Sequence, residues 1–148
     1  MRFSIKLRPA KRSHQPRNGL AVVEMAIIAP VLVFLTIGML EMARGMMVKE
    51  TLTDAARKGC RSGILPNPSN AAVTADVNAI LTNNSITASY ATIQILVNDV
   101  AANISTAKSG DKISVKVSIP VSQVAWITPM FLPASDIESE SVTMMSQK

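Results

Sequence analysis

Residues 20–40 form an apolar stretch with a single charge, and this stretch constrains the fold more than any other feature. Met25–Leu40 is uncharged throughout, and extending it back to Leu20 adds only the acid Glu24. A helix needs about 20 apolar residues to span a bilayer. The pattern therefore predicts one transmembrane helix over residues 20–40.

The charges on either side of this stretch predict its orientation. Residues 1–18 carry six basic and no acidic side chains, whereas the whole chain has a net charge of only +5. Positively charged flanks stay on the cytoplasmic side of a membrane. We therefore expect a basic cytoplasmic leader at residues 1–19 and an extracytoplasmic C-terminal part, in a single-pass protein of the cytoplasmic (inner) membrane.

Because the basic residues are confined to this leader and aromatic residues make up only 3% of the chain, we expect no nucleic-acid partner.

The single cysteine and the single histidine exclude further classes of protein. Cys60 is the only cysteine, so an intramolecular disulfide and a cysteine-rich metal site are impossible, although a bridge between two subunits stays open. His14 is the only histidine and lies in the leader, which removes a catalytic Ser-His-Asp or Cys-His set from the folded part. We expect no enzyme activity, cofactor, metal or small-molecule substrate.

Beyond the membrane, residues 41–62 continue the helix as an amphipathic segment. Polar side chains, Thr53 among them, are predicted on its solvated side. The opposite side carries small and apolar residues at spacings of three and four, namely Gly45, Val48, Leu52, Ala55, Ala56 and Gly59. This stripe predicts that the helix packs on another part of the protein.

Residues 63–148 predict an extracytoplasmic α+β domain. Gly63, Pro66 and Pro68 end the long helix. A short amphipathic helix follows, capped by Ser69 or Asn70, with Val73, Val77, Ile80 and Leu81 on one face. Alternating apolar residues predict strands over 90–97, 112–119 and 137–145. The expected fold is a long N-terminal helix packed on a small antiparallel β-sheet.

Four residues on the long helix are candidate functional residues. An ionised Glu24 in hydrocarbon costs about 2.5–3.5 kcal/mol on insertion scales, so it is expected to have a partner. Pro30 removes a helical hydrogen bond to the carbonyl of Ala26 and is expected to bend the span. Glu41 and Arg44, three residues apart, are either a pair at the outer membrane boundary or an ordinary solvated pair.

Two further groups lie in the outer domain. Glu138 and Glu140 share a face of the predicted last strand, where a solvated strand edge is favoured over acid–base chemistry or Ca²⁺ binding. Trp126, Met130 and Phe131 lie in an apolar run. This run is predicted to pack in the core or a loop, to contact another subunit, or to rest on the membrane surface.

The order of these residues resembles the TadE-like family, small pseudopilin-like proteins of the tight adherence (Flp pilus) machinery. The resemblance covers residues 17–61, and Met25 stands where relatives commonly have an aromatic residue. It rests on Gly19, Glu24, Pro30, Gly38, Glu41, Arg44 and the run LTDAARKGCR. It implies a pilin-like fold, other pilin-like subunits as partners through the N-terminal helix, and a prepilin-like peptidase that cuts between Gly19 and Leu20.

Cleavage at that bond would make Glu24 the fifth residue and free the amine of Leu20, with which Glu24 could pair to set subunit register. The resemblance thus implies a minor pilin or pseudopilin-like protein that takes part in assembling a Tad/Flp adhesion pilus or a related secretion apparatus. One alternative is an unprocessed anchor whose outer domain binds a partner or cell-wall polymer. Another is a secreted hydrolase behind an atypical signal peptide.

Overall fold

The computed structural model of the chain describes residues 18–126, 129–132 and 135–147. Within these residues it has a long N-terminal helix and a small antiparallel sheet, which confirms the predicted α+β class. The predicted leader lies outside the described residues, apart from its last two positions. In chain order the elements are α1 (Asn18–Gly63), α2 (Asn70–Asn83), β1 (Thr92–Val97), β2 (Val100–Ala101), β3 (Lys112–Pro120), α3 (Val121–Val124), β4 (Asp136–Glu138) and β5 (Val142–Met145).

Helix α1 contributes to two compact units, one reaching to Thr36 and the other starting at Ile37. In the first unit every residue from Gly19 to Thr36 is exposed. Among the described residues, α1 is the one helix long and apolar enough to cross a membrane. These observations support a single-pass membrane protein, as the sequence predicts.

In the second unit, one side of α1 forms a wall of the hydrophobic core. The fully buried positions include Val48, Leu52, Ala55, Ala56 and Cys60, which confirms the predicted stripe. The prediction that Thr53 is solvated is wrong. Its buried hydroxyl donates a hydrogen bond to the carbonyl of Lys49 and accepts one from the backbone N–H of Glu140, 3.3 Å away.

Strand β3 lies at the centre of the sheet, and β1 runs antiparallel along one side of it. The register pairs Ile93 with Val117 and Ile95 with Val115. Because side chains alternate along a strand, the apolar residues of both strands share one face. On β3 these are Ile113, Val115, Val117 and Ile119, all fully buried as predicted. The two-residue strand β2, which was not predicted, pairs with the end of β1.

The other side of β3 is occupied by two short strands rather than by the single strand predicted over 137–145. Strand β4 pairs Glu138 with Ser118, and β5 pairs Val142 with Val115. From the first of these pairs to the second, the edge strand advances four residues, from Glu138 to Val142, while β3 advances only three, from Ser118 to Val115. One extra residue in an antiparallel pair is a β-bulge, which bends the strand and interrupts the ladder.

The bulge places the apolar side chains of this edge on one face. Ile137 and Val142 both pack against the core although they are five residues apart. A regular strand would put them on opposite faces, and one inserted residue brings them to the same face. Ser139 supports the bulge, because its backbone N–H donates to the carbonyl of Val117 (2.8 Å) and its hydroxyl accepts from the Val117 N–H (3.0 Å).

Helix α2 packs against α1 at the position of Gly59. Ser69 caps α2, because its hydroxyl oxygen accepts a hydrogen bond from the backbone N–H of Ala72 at 3.1 Å. Val73 and Val77 are fully buried. A Cβ atom at Gly59 would lie 2.8 Å from Cγ2 of Val77, closer than atoms can pack. The absence of a side chain at Gly59 therefore allows the two helices to approach.

The substitution Gly59→Ala should destabilise the outer domain. Alanine favours a helix over glycine by up to about 1 kcal/mol, but overpacking a core typically costs about 1–3 kcal/mol, so the steric cost should dominate. The measurement is thermal unfolding of the full chain in detergent. Gly45→Ala is the matched control, because a Cβ there would make ordinary contacts with the Leu132 side chain at 3.4 Å. A Gly59→Ala protein at least as stable as the Gly45→Ala protein would contradict the close approach.

Candidate functional site

The predicted cleavage site lies in the first turn of α1. Among the residues that the structure describes, none outside the local chain has an atom within 4 Å of the position that a Cβ at Gly19 would occupy, and Leu20 is 75% exposed. The Gly19–Leu20 bond is therefore sterically open, although it is helical rather than extended. The first backbone N–H groups of a helix have no intrahelical acceptor, so unwinding this turn for a peptidase breaks fewer hydrogen bonds than unwinding an interior turn.

Glu24 lies one helical turn beyond Leu20, and its side chain is exposed. No hydrogen bond or ion pair joins it to any other described residue. Residues four apart share a helix face and are separated by about 6 Å along the axis at ~1.5 Å per residue. Because helical side chains tilt toward the N-terminus, the carboxylate of Glu24 can reach back toward the backbone nitrogen of Leu20.

Pro30 lies inside α1, which continues through it to Gly63. A proline has no N–H to donate, so the carbonyl of Ala26 loses its usual helical partner. The predicted bend at Pro30 and the predicted boundary role of Glu41 and Arg44 both stay predictions.

Glu41 is the buried acid of α1, with only 7% of its surface exposed. Its two carboxylate oxygens accept hydrogen bonds from consecutive backbone N–H groups, Met130 at 2.8 Å and Phe131 at 2.9 Å. Hydrogen bonds to a charged acceptor are stronger than those between neutral groups. The reading of Glu41 as half of an ordinary solvated pair is therefore wrong, because its carboxylate instead holds a segment almost 90 residues away in sequence.

Arg44 contacts the same part of the chain, at a different place. Its Nε donates to the carbonyl of Val124 at 3.1 Å, and its guanidinium lies 4.9 Å from the centre of the Trp126 ring. Its Nη1 also approaches the sulfur of Met47 at 3.7 Å. Among the salt bridges of the described residues, none joins Arg44 to Glu41. The two side chains thus act on separate parts of one loop.

Two glycines on the same side of α1 complete this contact. The Phe131 ring lies 3.5 Å from the Cβ position of Gly38, and the Leu132 side chain lies 3.4 Å from that of Gly45. We use the name helix–loop clasp for the four helix residues Gly38, Glu41, Arg44 and Gly45 together with Trp126 and Met130–Leu132 of the loop. The sequence identified most members of the clasp separately. The i, i+3, i+7 spacing of Gly38, Glu41 and Gly45 could have shown that the helix residues form one site, because it puts an acid between two glycines on one helix face.

Cys60 and the two predicted edge acids belong to the packing of the domain. The Cys60 thiol is fully buried and donates to the carbonyl of Val142 at 2.9 Å, so the folded chain does not present it for a bridge between subunits. Glu138, on β4, forms an ion pair with Lys116. Glu140 lies in the bulged segment between β4 and β5, and both acids are exposed at the sheet edge.

Residues 19–61 match the model of the family described as TadE-like protein, which confirms the resemblance over helix α1. The match begins at Gly19, and it includes Glu24 and the helix residues of the clasp. The outer domain beyond residue 61 lies outside the match. No curated protein and no solved structure matches this chain.

The substitution Glu41→Gln should loosen the loop without unfolding the domain. An amide has one acceptor oxygen, so one of the two backbone N–H groups would lose its partner and the other would lose a charged acceptor. Hydrogen bonds to charged groups contribute about 1.5–3 kcal/mol, so amide hydrogen exchange at Met130 and Phe131 should accelerate by about tenfold or more. Glu50→Gln, at an exposed acid on the same helix, is the control. Equal exchange in the two variants would contradict the clasp.

The Cys60 thiol should be unreactive in the folded protein. Burial raises the pKa of Cys60 from 9.0 to about 11. A backbone hydrogen bond with Val115 lowers the pKa, but its effect is smaller than that of burial. The thiolate is the reactive form, so alkylation near pH 9 should be slow in the native chain and fast after unfolding. Because the folded pKa is the higher one, the free energy of unfolding should fall between pH 9 and pH 11, and less so in Cys60→Ala. Rapid alkylation of the native chain would contradict this burial.

Proposed function

We propose that this chain is a pseudopilin-like subunit that is cut after Gly19 and then helps to assemble a Tad/Flp-type pilus or a related secretion apparatus. Its role is structural, and it is a substrate of a prepilin-like peptidase rather than an enzyme. The observation that carries the proposal is the TadE-like match over residues 19–61. The match starts at the residue that would precede the cut, and no described residue outside the local chain crowds Gly19.

The topology of the proposal follows from the charges. The basic leader stays in the cytoplasm, α1 crosses the inner membrane once, and the outer domain lies on the far side. A peptidase acting on the cytoplasmic face would then meet the Gly19–Leu20 bond at the end of the span. Glycine adds no side-chain bulk at that bond and adopts extended conformations readily.

The proposed role of Glu24 is to set register between subunits. Cutting after Gly19 creates an α-amino group on Leu20, whose reference pKa of about 7.7–8.0 leaves it largely protonated at neutral pH. An acid exposed among apolar side chains then has a partner of opposite charge, in its own chain or in a neighbouring one. A buried ion pair need not add net stability, so the proposed benefit is specificity of alignment.

An uncovered apolar face of α1 supports packing against another helix. Met39, Met42 and Met46 share one side by their spacing and are 65%, 50% and 65% exposed. At 3.6 residues per turn they lie about 100–160° around the helix axis from Glu41. Met42 and Met46 lie beyond Leu40, where the uncharged stretch ends. Flexible methionine side chains adapt well to a partner surface. We propose that this face packs against other pilin-like subunits.

The test is the intact mass of the membrane-extracted full chain, produced with and without the candidate peptidase. The mass should fall by that of residues 1–19 only when the peptidase is present. Gly19→Leu should block the cut, and Gly19→Ala should retain part of it because alanine adds little bulk. A chain that keeps residues 1–19 with an active peptidase would overturn the proposal and would favour the unprocessed anchor.

A further inference from the structure

The loop of the helix–loop clasp exposes three large apolar side chains within six residues of sequence. Trp126 is 72% exposed, Met130 is 64% exposed and Phe131 is 54% exposed. The chain has only five aromatic residues, and this loop holds two of them. Clustered exposed apolar groups of this kind mark an interaction surface. We refer to Trp126, Met130 and Phe131 as the apolar tip.

The apolar tip is held in place rather than loosely exposed. Behind it, the carboxylate of Glu41 binds two consecutive backbone N–H groups, and Arg44 binds the carbonyl of Val124 and the face of the Trp126 ring. These contacts use the polar groups on the inner side of the loop. Among the described residues of 125–132, the exposed side chains are the three apolar ones of the tip. A loop fixed in this way presents its apolar tip at little further cost in conformational entropy.

The position of the tip along α1 corresponds to the edge of a membrane. Phe131 contacts Gly38, which lies two residues before Leu40, where the uncharged stretch ends. Trp126 contacts Arg44, four residues beyond that end. At ~1.5 Å per residue these levels are about 3 Å inside and about 6 Å outside the apolar boundary. The polar layer on each side of a bilayer is roughly 5–7 Å thick, so the level of Trp126 falls within this layer and that of Phe131 falls at the outer edge of the hydrocarbon beneath it.

The chemistry of the tip also fits this layer. Tryptophan is enriched at membrane–water interfaces because its ring is apolar while its N–H is polar. The phenylalanine, which has no polar group, is on the deeper side. The acid nearest to it, Glu41, is covered by the loop and does not present its charge to lipid.

We propose that the apolar tip inserts into the interfacial layer on the outer face of the bilayer and gives the outer domain a second contact with lipid beside helix α1. The occupant of this surface is a lipid bilayer, because the tip adjoins the end of the apolar stretch of the helix, with Phe131 against Gly38 and Trp126 beside Leu40. The inference requires a membrane-spanning α1 but not cleavage after Gly19, so it can hold or fail independently of the proposed processing.

Trp126 is the only tryptophan, so its fluorescence reports on the tip directly. The full chain is reconstituted into phosphatidylcholine–phosphatidylglycerol vesicles that contain lipids brominated either close to the headgroup or near the end of the acyl chain. We expect a blue-shifted emission, protection from acrylamide in the water, and stronger quenching by the lipid brominated near the headgroup. Emission typical of exposed tryptophan without quenching by either lipid would overturn the proposal.

A pair of variants separates lipid insertion from other causes. Phe131→Ser keeps the backbone N–H that binds Glu41 but removes the apolar ring, so quenching of Trp126 by the brominated lipid should decrease. Tyr90→Ser, at an exposed aromatic residue elsewhere in the domain, should leave the quenching unchanged. Equal quenching of Trp126 by brominated lipid in the two variants would contradict insertion of the apolar tip into the bilayer. A blue shift that is not quenched by brominated lipid and disappears as the protein is diluted in lipid would show that a second copy covers the surface instead.

Discussion

The structure of the outer domain depends on the burial of one stripe of helix α1 against strand β3. The helix contributes Val48, Leu52 and Ala56, and the strand contributes Val115 and Val117, all without exposed surface. Each fully buried valine or leucine side chain contributes about 1.5–3 kcal/mol. Helix α2 and the edge strands are added around this contact, and α2 approaches α1 closely at Gly59.

The two acids in the N-terminal part of α1 have opposite surroundings. Both lie within or next to an apolar stretch, where an unpartnered carboxylate is costly. Glu41 is satisfied within its own chain by two backbone N–H groups. Glu24 has no such partner among the described residues. The proposed pairing of Glu24 with an amine freed by processing would meet at Glu24 the same physical requirement that the two N–H groups meet at Glu41.

Much of this fold could be predicted because its signals are periodic and local. The apolar length of residues 20–40, the spacing of Val48 and Leu52, and the alternation in β3 each reflect one element at a time. The bulge itself was not predicted. The sequence does indicate it, because Ile137 and Val142 are both apolar but are five residues apart and would lie on opposite faces of a regular strand. The clasp was missed because Glu41 and Met130 meet only through the tertiary fold, and an acid that binds backbone N–H groups can do so regardless of the side chains in the loop.

The central claim is that α1 carries a processed N-terminus whose amine pairs with Glu24. A carbodiimide joins a carboxylate directly to an amine in contact with it, and mass spectrometry of membranes treated in this way tests the claim. The Lys116–Glu138 ion pair serves as an internal control for the reaction. We predict a cross-linked peptide between the α-amine of Leu20 and the side chain of Glu24, and mixing isotope-labelled with unlabelled chains would assign the pair to one chain or two. Cross-linking of Lys116 to Glu138 without any product at Leu20 and Glu24 would contradict the account.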